Sequence, residues 1–120
     1  MGFFSSKPKK QLPWIALTSE EQLKNALVEA ETETVLFFKH STRCSISAMA
    51  YDRFEHDWNL ENNCKLYYLD LIAFRNVSNL MAELTHVMHQ SPQVIVLRNN
   101  ELIYTETHNG ISARAIEQLL

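Results

Sequence analysis

The strongest constraint on what this chain can fold into is the order of its hydrophobic patterns. From Trp14 onward, runs of strand length alternate with stretches of helical period, and the chain closes on two strand-like runs and a short helix. Trp14 to Leu17 is a short apolar run that predicts a first strand. Thr18 or Ser19 can cap a following helix, with Glu21 or Gln22 as the reciprocal partner, and Leu23, Ala26, Leu27 and Ala30 recur at helical spacing. Thr34 to His40 (TVLFFKH) is almost continuously apolar and reads as a buried strand. After the turn Ser41-Thr42-Arg43, the spacing of Ile46, Met49, Ala50, Phe54 and Trp58 predicts a helix starting near Cys44.

Asn62-Asn63 interrupts that pattern. Lys65 to Leu71 predicts a third strand, and Val77 to Met88 a third helix striped by Leu80, Met81, Leu84 and Val87. Ser91-Pro92 is a stop. Gln93 to Leu97 is a strand, Asn99-Asn100 a tight turn, Glu101 to Glu106 its hairpin partner, and Ala113 to Leu120 a closing helix after Gly110-Ile111-Ser112. The order β-α-β-α-β-α-β-β-α implies parallel pairing with right-handed crossovers, then an antiparallel end. An α/β fold follows, with a mixed sheet of about five strands and helices on both faces.

The 120 residues fit one domain, with 46% hydrophobic and 21% charged residues. We expect a flexible N-terminal leader over 1–13 and a single domain over 14–120. The net charge of -3 argues against nucleic acid as a partner. No stretch approaches the roughly 20 apolar residues that cross a bilayer, so no membrane partner is expected. The start of the chain lacks the apolar core of a signal peptide. Gly2 and Ser6 fit the loose spacing of a myristoylation signal, against the plainer reading of a frayed leader. Two cysteines without an export signal point to a reducing, cytoplasmic setting, where a thiol is more often buried, catalytic or metal-bound than disulfide-paired.

Cys44 opens the helix that follows the second strand. The first amides of a helix lack internal acceptors and carry partial positive charge, which favours a thiolate. Lys39, His40 and Arg43 are close in sequence. Settings of this kind lower a cysteine pKa. For an illustrative value of about 6, the thiolate fraction at pH ~7.4 rises about 13-fold while intrinsic nucleophilicity falls about 10- to 18-fold. A thiol of this type gains little as an attacker and much as a leaving group. In Cys44-Ser45-Ile46-Ser47, serine stands where a dithiol oxidoreductase has its second cysteine. Ser47 is placed to hydrogen-bond the Cys44 sulfur and has no thiol to resolve a mixed disulfide. The plainer alternative is an inert loop cysteine.

Cys64 precedes the third strand, whereas Cys44 follows the second. With those strands parallel, the two lie at opposite ends of the sheet, about 17–20 Å apart. A disulfide needs Cα atoms within about 7 Å. Cys64 is expected to be a small core or edge residue.

The segment Phe38-Lys39-His40-Ser41-Thr42-Arg43-Cys44-Ser45-Ile46-Ser47, with the Ser91-Pro92 step, resembles the monothiol bacilliredoxin family of the thioredoxin-like superfamily, which typically shows F-K-H-S-T-x-C-P-I-S. The resemblance runs from about Trp14 to the C-terminus. It implies a thioredoxin-like fold and a monothiol disulfide reductase that removes bacillithiol from protein mixed disulfides. Cys44 is then the nucleophile. Pro92 matches the proline held in cis beside the active site, where it aims the Ser91 backbone at substrate. No bound cofactor is implied; bacillithiol, a low-molecular-weight thiol, is the co-substrate, and bacillithiolated client proteins are the partners. Ser45 departs from the family's proline, which stiffens the first helical turn.

Thr42, Arg43, His40 and Ser47 remain candidates for tuning the thiolate or positioning substrate. Arg43 can meet a carboxylate of the small thiol, since bacillithiol carries malate, or is an exposed loop charge. His40 tunes the thiolate or ends the strand. His86 and His89, three apart on the third helix, lack the further ligands a metal needs, so no metal site is expected. The Phe37/Phe38 and Tyr67/Tyr68 pairs read as strand residues facing two helix layers. Two alternatives stay open: a non-catalytic partner-binding module and a glutaredoxin-like protein using glutathione.

Overall fold

The computed structural model describes residues 11–59 and 61–120. Five strands form one mixed sheet: β1 (Ile15–Ala16), β2 (Thr34–His40), β3 (Lys65–Asp70), β4 (Gln93–Arg98) and β5 (Glu101–Thr107), in the order β1-β3-β2-β4-β5. β1 and β2 run parallel to β3, β4 runs antiparallel to β2, and β5 antiparallel to β4. β2 is therefore central and buried on both faces, which is why its sequence is apolar at nearly every position. Asn99 and Asn100 both take positive φ, 53° and 62°, the geometry of a two-residue hairpin turn.

Among the described residues, four helices cover the sheet: α1 (Glu20–Glu29), α2 (Ser45–Asp57), α3 (Arg75–Thr85) and α4 (Ala113–Glu117), with a 3-10 turn over His108–Gly110. Alternation along the strands assigns each side chain to a face. Val35, Phe37, Tyr67, Leu69, Ile95 and Leu97 pack with Leu23 and Ala26 of α1 and Val77 and Met81 of α3. Leu36, Phe38, Leu66, Val94 and Val96 pack with Ala50 and Phe54 of α2 and Ala113 and Ile116 of α4. The paired aromatics split as the alternation predicts: Phe37 stacks on Tyr67, and Phe38 meets Tyr51 and Phe54 on the other face.

The Ser19 hydroxyl caps α1 by accepting from the Gln22 amide at 3.1 Å, and the Gln22 side chain accepts from the Thr18 amide at 2.8 Å. α3 stops three residues short of the expected Met88. His86 turns left-handed at φ 59° and ends it, so His86 and His89 do not share a helix face. Leu84 is exposed in consequence, while Val87 is buried beyond the helix. α2 also buries a different stripe from the one its apolar residues suggest. Ile46 and Met49 are 55% and 68% exposed, and Ser47, Ala50 and Phe54 face inward. Packed structure begins before Trp14, because Leu12, assigned above to the leader, is buried against the α2/α4 face. The rest of the expected leader, Gly2 and Ser6 included, lies outside the described residues.

Candidate functional site

β2 ends at His40, and a tight turn carries the chain into α2. The Cys44 amide donates to the Ser41 carbonyl at 3.1 Å, closing a four-residue turn. The Cys44 carbonyl then accepts the first helical bond, from the Ala48 amide at 3.0 Å. Cys44 is the N-cap of α2, in extended conformation, and is half-buried. Its side chain makes no capping hydrogen bond. Thr42 and Arg43 are exposed beside it.

Ser47 sits one turn into α2 and is fully buried. Its Oγ accepts from the Ser41 amide at 3.0 Å and pairs with His40 Nδ1 at 2.6 Å. The hydroxyl is therefore committed to the strand end and the turn, not to the Cys44 sulfur as the sequence suggested. Ser47 thus clamps the loop that presents Cys44. That demand also explains the shifted stripe of α2: a serine with two partners is cheap to bury, and burying it turns Ile46 and Met49 outward.

His40 is buried and stacked on Tyr51 at 5.1 Å. Burial holds it below the usual histidine range, against the opposing pull of the Asp70 and Asp52 carboxylates. With His40 neutral, the Ser47 hydroxyl can donate to Nδ1, leaving the ring proton on Nε2. Tyr51 also packs edge-on against Tyr68 and hydrogen-bonds Glu55, whose carboxylate accepts from Trp14 Nε1 at 2.9 Å. The turn at Cys44 thus rests on a buried aromatic and carboxylate network. Sequence reasoning missed Tyr51 and Glu55, since nothing in a helical pattern distinguishes them from ordinary surface residues.

Of the three basic residues near Cys44 in sequence, Lys39 and His40 are buried and Arg43 is exposed. Lys39 shares the strand parity of Val35 and Phe37, so it faces the α1/α3 side and is completely buried. Its Nζ has no hydrogen-bond partner, and burial lowers its pKa to about 8.

The Ser91–Pro92 peptide is cis, and β4 begins directly after it. Antiparallel pairing of Lys39 with Gln93 brings this bond to the end of the sheet where Cys44 lies. Ser91 Oγ is buried without a partner. Cys64 lies at the other end. Lys65 pairs with Val35 and Asp70 with His40, so the length of β3 separates the two cysteines. Cys64 packs on the α2/α4 core, and burial pushes its thiol up to about 12. Both cysteines are free thiols. Among the described residues no group of three metal-ligating side chains converges, and no helix is long and apolar enough to cross a membrane.

Residues 15–116 match the family described as Monothiol bacilliredoxin BrxC. A solved structure provisionally described as an oxidoreductase with a thioredoxin fold shares 33% identity, covering 88% of this chain and 91% of its own, with a TM-score of 0.75. Thioredoxin O2 from Arabidopsis thaliana superposes with a TM-score of 0.67 over 96% of this chain and 95% of its own at 14% identity. Malassezia sympodialis thioredoxin gives 0.64 over 95% and 91% at 16% identity. The last two show the fold alone. The chain has a thioredoxin fold and belongs to the monothiol bacilliredoxin family.

Proposed function

We propose that this bacilliredoxin is a cytoplasmic monothiol disulfide reductase that removes bacillithiol from protein mixed disulfides through Cys44. Family and fold support a thiol redox function. The observation that carries the monothiol reading is that Cys44 stands half-exposed at a helix start with the Ser47 hydroxyl locked behind it and Cys64 a sheet length away.

The Cys44 thiolate attacks the bacillithiol sulfur of the mixed disulfide. The client thiolate leaves, and Cys44 now carries bacillithiol. A second low-molecular-weight thiol, as its thiolate, attacks that adduct, releases the symmetrical or mixed small disulfide, and restores the Cys44 thiolate. Each step exchanges one S–S bond for another, so no bound cofactor takes part. In this reading Arg43, exposed beside Cys44, meets a carboxylate of the small thiol, and the Ser91–Pro92 backbone aligns the disulfide.

Intact-mass analysis after treatment with bacillithiol disulfide or glutathione disulfide tests this. One adduct is expected on the wild type and on Cys64→Ser, and none on Cys44→Ser. A wild-type protein that stays unmodified would end the exchange reading. An adduct formed only with glutathione would move the co-substrate to glutathione.

A further inference from the structure

Lys39 is a charge that the exchange chemistry does not account for. It lies in the central strand, is sealed from solvent, and its Nζ makes no hydrogen bond. A buried ammonium is costly unless something pairs with it. Its register neighbours do not. Leu69 is apolar, and the Gln93 amide is occupied by the Met88 carbonyl at 3.0 Å and the Gln90 amide at 3.3 Å. Asp70, one step further along β3, pairs with His40 and so faces the opposite layer.

The layer that Lys39 faces is apolar apart from the polar end of α3. His89 lies at the surface, and its ring is held below the usual histidine range by partial burial and by the charges of Lys39 and Arg75. Among the described residues, no carboxylate pairs with Lys39 Nζ. The buried Ser78 hydroxyl meets His89 Nδ1 at 3.3 Å, in the first turn of α3. The cluster therefore sits at the sheet end where β2 delivers Cys44 and where residues 89–92 lead into the cis peptide, with Ser91 Oγ a second buried atom without a partner.

We propose that Lys39, Ser78, His89 and Arg75 form an anion subsite of the exchange site, which takes a carboxylate carried by the disulfide substrate. One long hydrogen bond holds His89 to Ser78. Displacement of His89 frees the Ser78 hydroxyl and opens Lys39 Nζ to the carboxylate, with Arg75 at the rim. The proposal rests on the thiol-exchange reading for its role and on Lys39 for its location.

The test compares adduct formation on Cys44 by three small disulfides: 3,3'-dithiodipropionate, 2-hydroxyethyl disulfide and cystamine. Lys39→Met is expected to slow the carboxylate-bearing reagent about tenfold, the worth of one charge-assisted hydrogen bond, and to leave 2-hydroxyethyl disulfide within about twofold. Equal slowing of all three, or no slowing of the first, overturns the subsite. Lys39→Leu replaces Lys39→Met if the latter does not fold. Should Cys44 react with none of them, the exchange reading falls, and the subsite is read separately from the melting temperature. L-malate is then expected to raise it in the wild type above sodium chloride at matched ionic strength, and not in Lys39→Met; equal rises overturn the proposal.

Discussion

Replacing Lys39 with methionine is expected to stabilise the protein by about 3 kcal/mol at pH 7, as measured by urea unfolding in buffer free of carboxylates and phosphate. The amine falls from 10.5 to about 8 through burial alone, and each pKa unit corresponds to about 1.4 kcal/mol. Because the folded pKa is depressed, the folded state binds fewer protons than the unfolded chain between about pH 8 and 10.5, and the stability due to this group rises with pH across that window. The penalty is therefore complete below pH 8 and gone by about 10.5. Methionine fills nearly the same space with no charge to desolvate. The advantage of the variant is thus largest at and below pH 7 and closes as pH approaches 10.5. The difference between the two proteins must be read, since Cys64, Tyr67 and Tyr68 have raised pKa values and lose stabilising effect as pH rises. A variant less stable than the wild type at pH 7, or a gap independent of pH, contradicts this account of Lys39.

Lys39 also marks where the sequence stops being readable. The apolar run of β2 announced a central strand, and strict alternation along it places Lys39 with Val35 and Phe37, so its face was legible. Its burial was not, because a lysine near a strand end ordinarily leads its charge out to water. The same limit applied to α2. Its apolar residues suggested a stripe through Ile46 and Met49, yet the hydrogen bonds that Ser47 makes to His40 and Ser41 set the helix's rotation. A polar contact across the turn outweighed the apolar pattern of the helix. α3 was overrun for a third reason: Val87 is buried and at helical spacing, but the chain had already turned at His86. What survived was the information carried by period and order, including the Asn99-Asn100 hairpin and the placement of Cys44 and Cys64 at opposite sheet ends. What did not was anything decided by which polar group finds which partner.

The single serine that makes this a one-thiol protein gives the last expected result. Ser47→Cys is expected to oxidise to an intramolecular disulfide with Cys44, seen as the loss of two hydrogen masses and of both reactive thiols. Cys44 is the N-cap of α2 and Ser47 its third residue, so their side chains share one side of the first turn, as in a capping box. Residues so placed fall within the Cα separation of about 4.4–6.8 Å that a disulfide accepts. Once a cargo is on Cys44, the introduced thiol is held beside the adduct, and resolution no longer waits for a small thiol from solution. The lifetime of the Cys44 adduct should shorten at least about 100-fold in dilute external thiol, the advantage of an intramolecular attack. The change has a structural cost, because His40 Nδ1 and the Ser41 amide lose the hydroxyl that joins them. Leaving such buried groups unpaired costs about 1–3 kcal/mol, and Ser47→Ala carries that cost without the second thiol. If Ser47→Ala alone shortens the adduct lifetime as much as Ser47→Cys does, the effect belongs to a loosened loop, and the clamp matters more to the exchange chemistry than the missing cysteine. If the adduct on Ser47→Cys persists while Ser47→Ala behaves as the wild type, the buried side of the first turn is closed to a resolving attack. The one-thiol cycle would then be enforced by the clamp of His40, stacked on Tyr51, on residue 47 as well as by the serine itself.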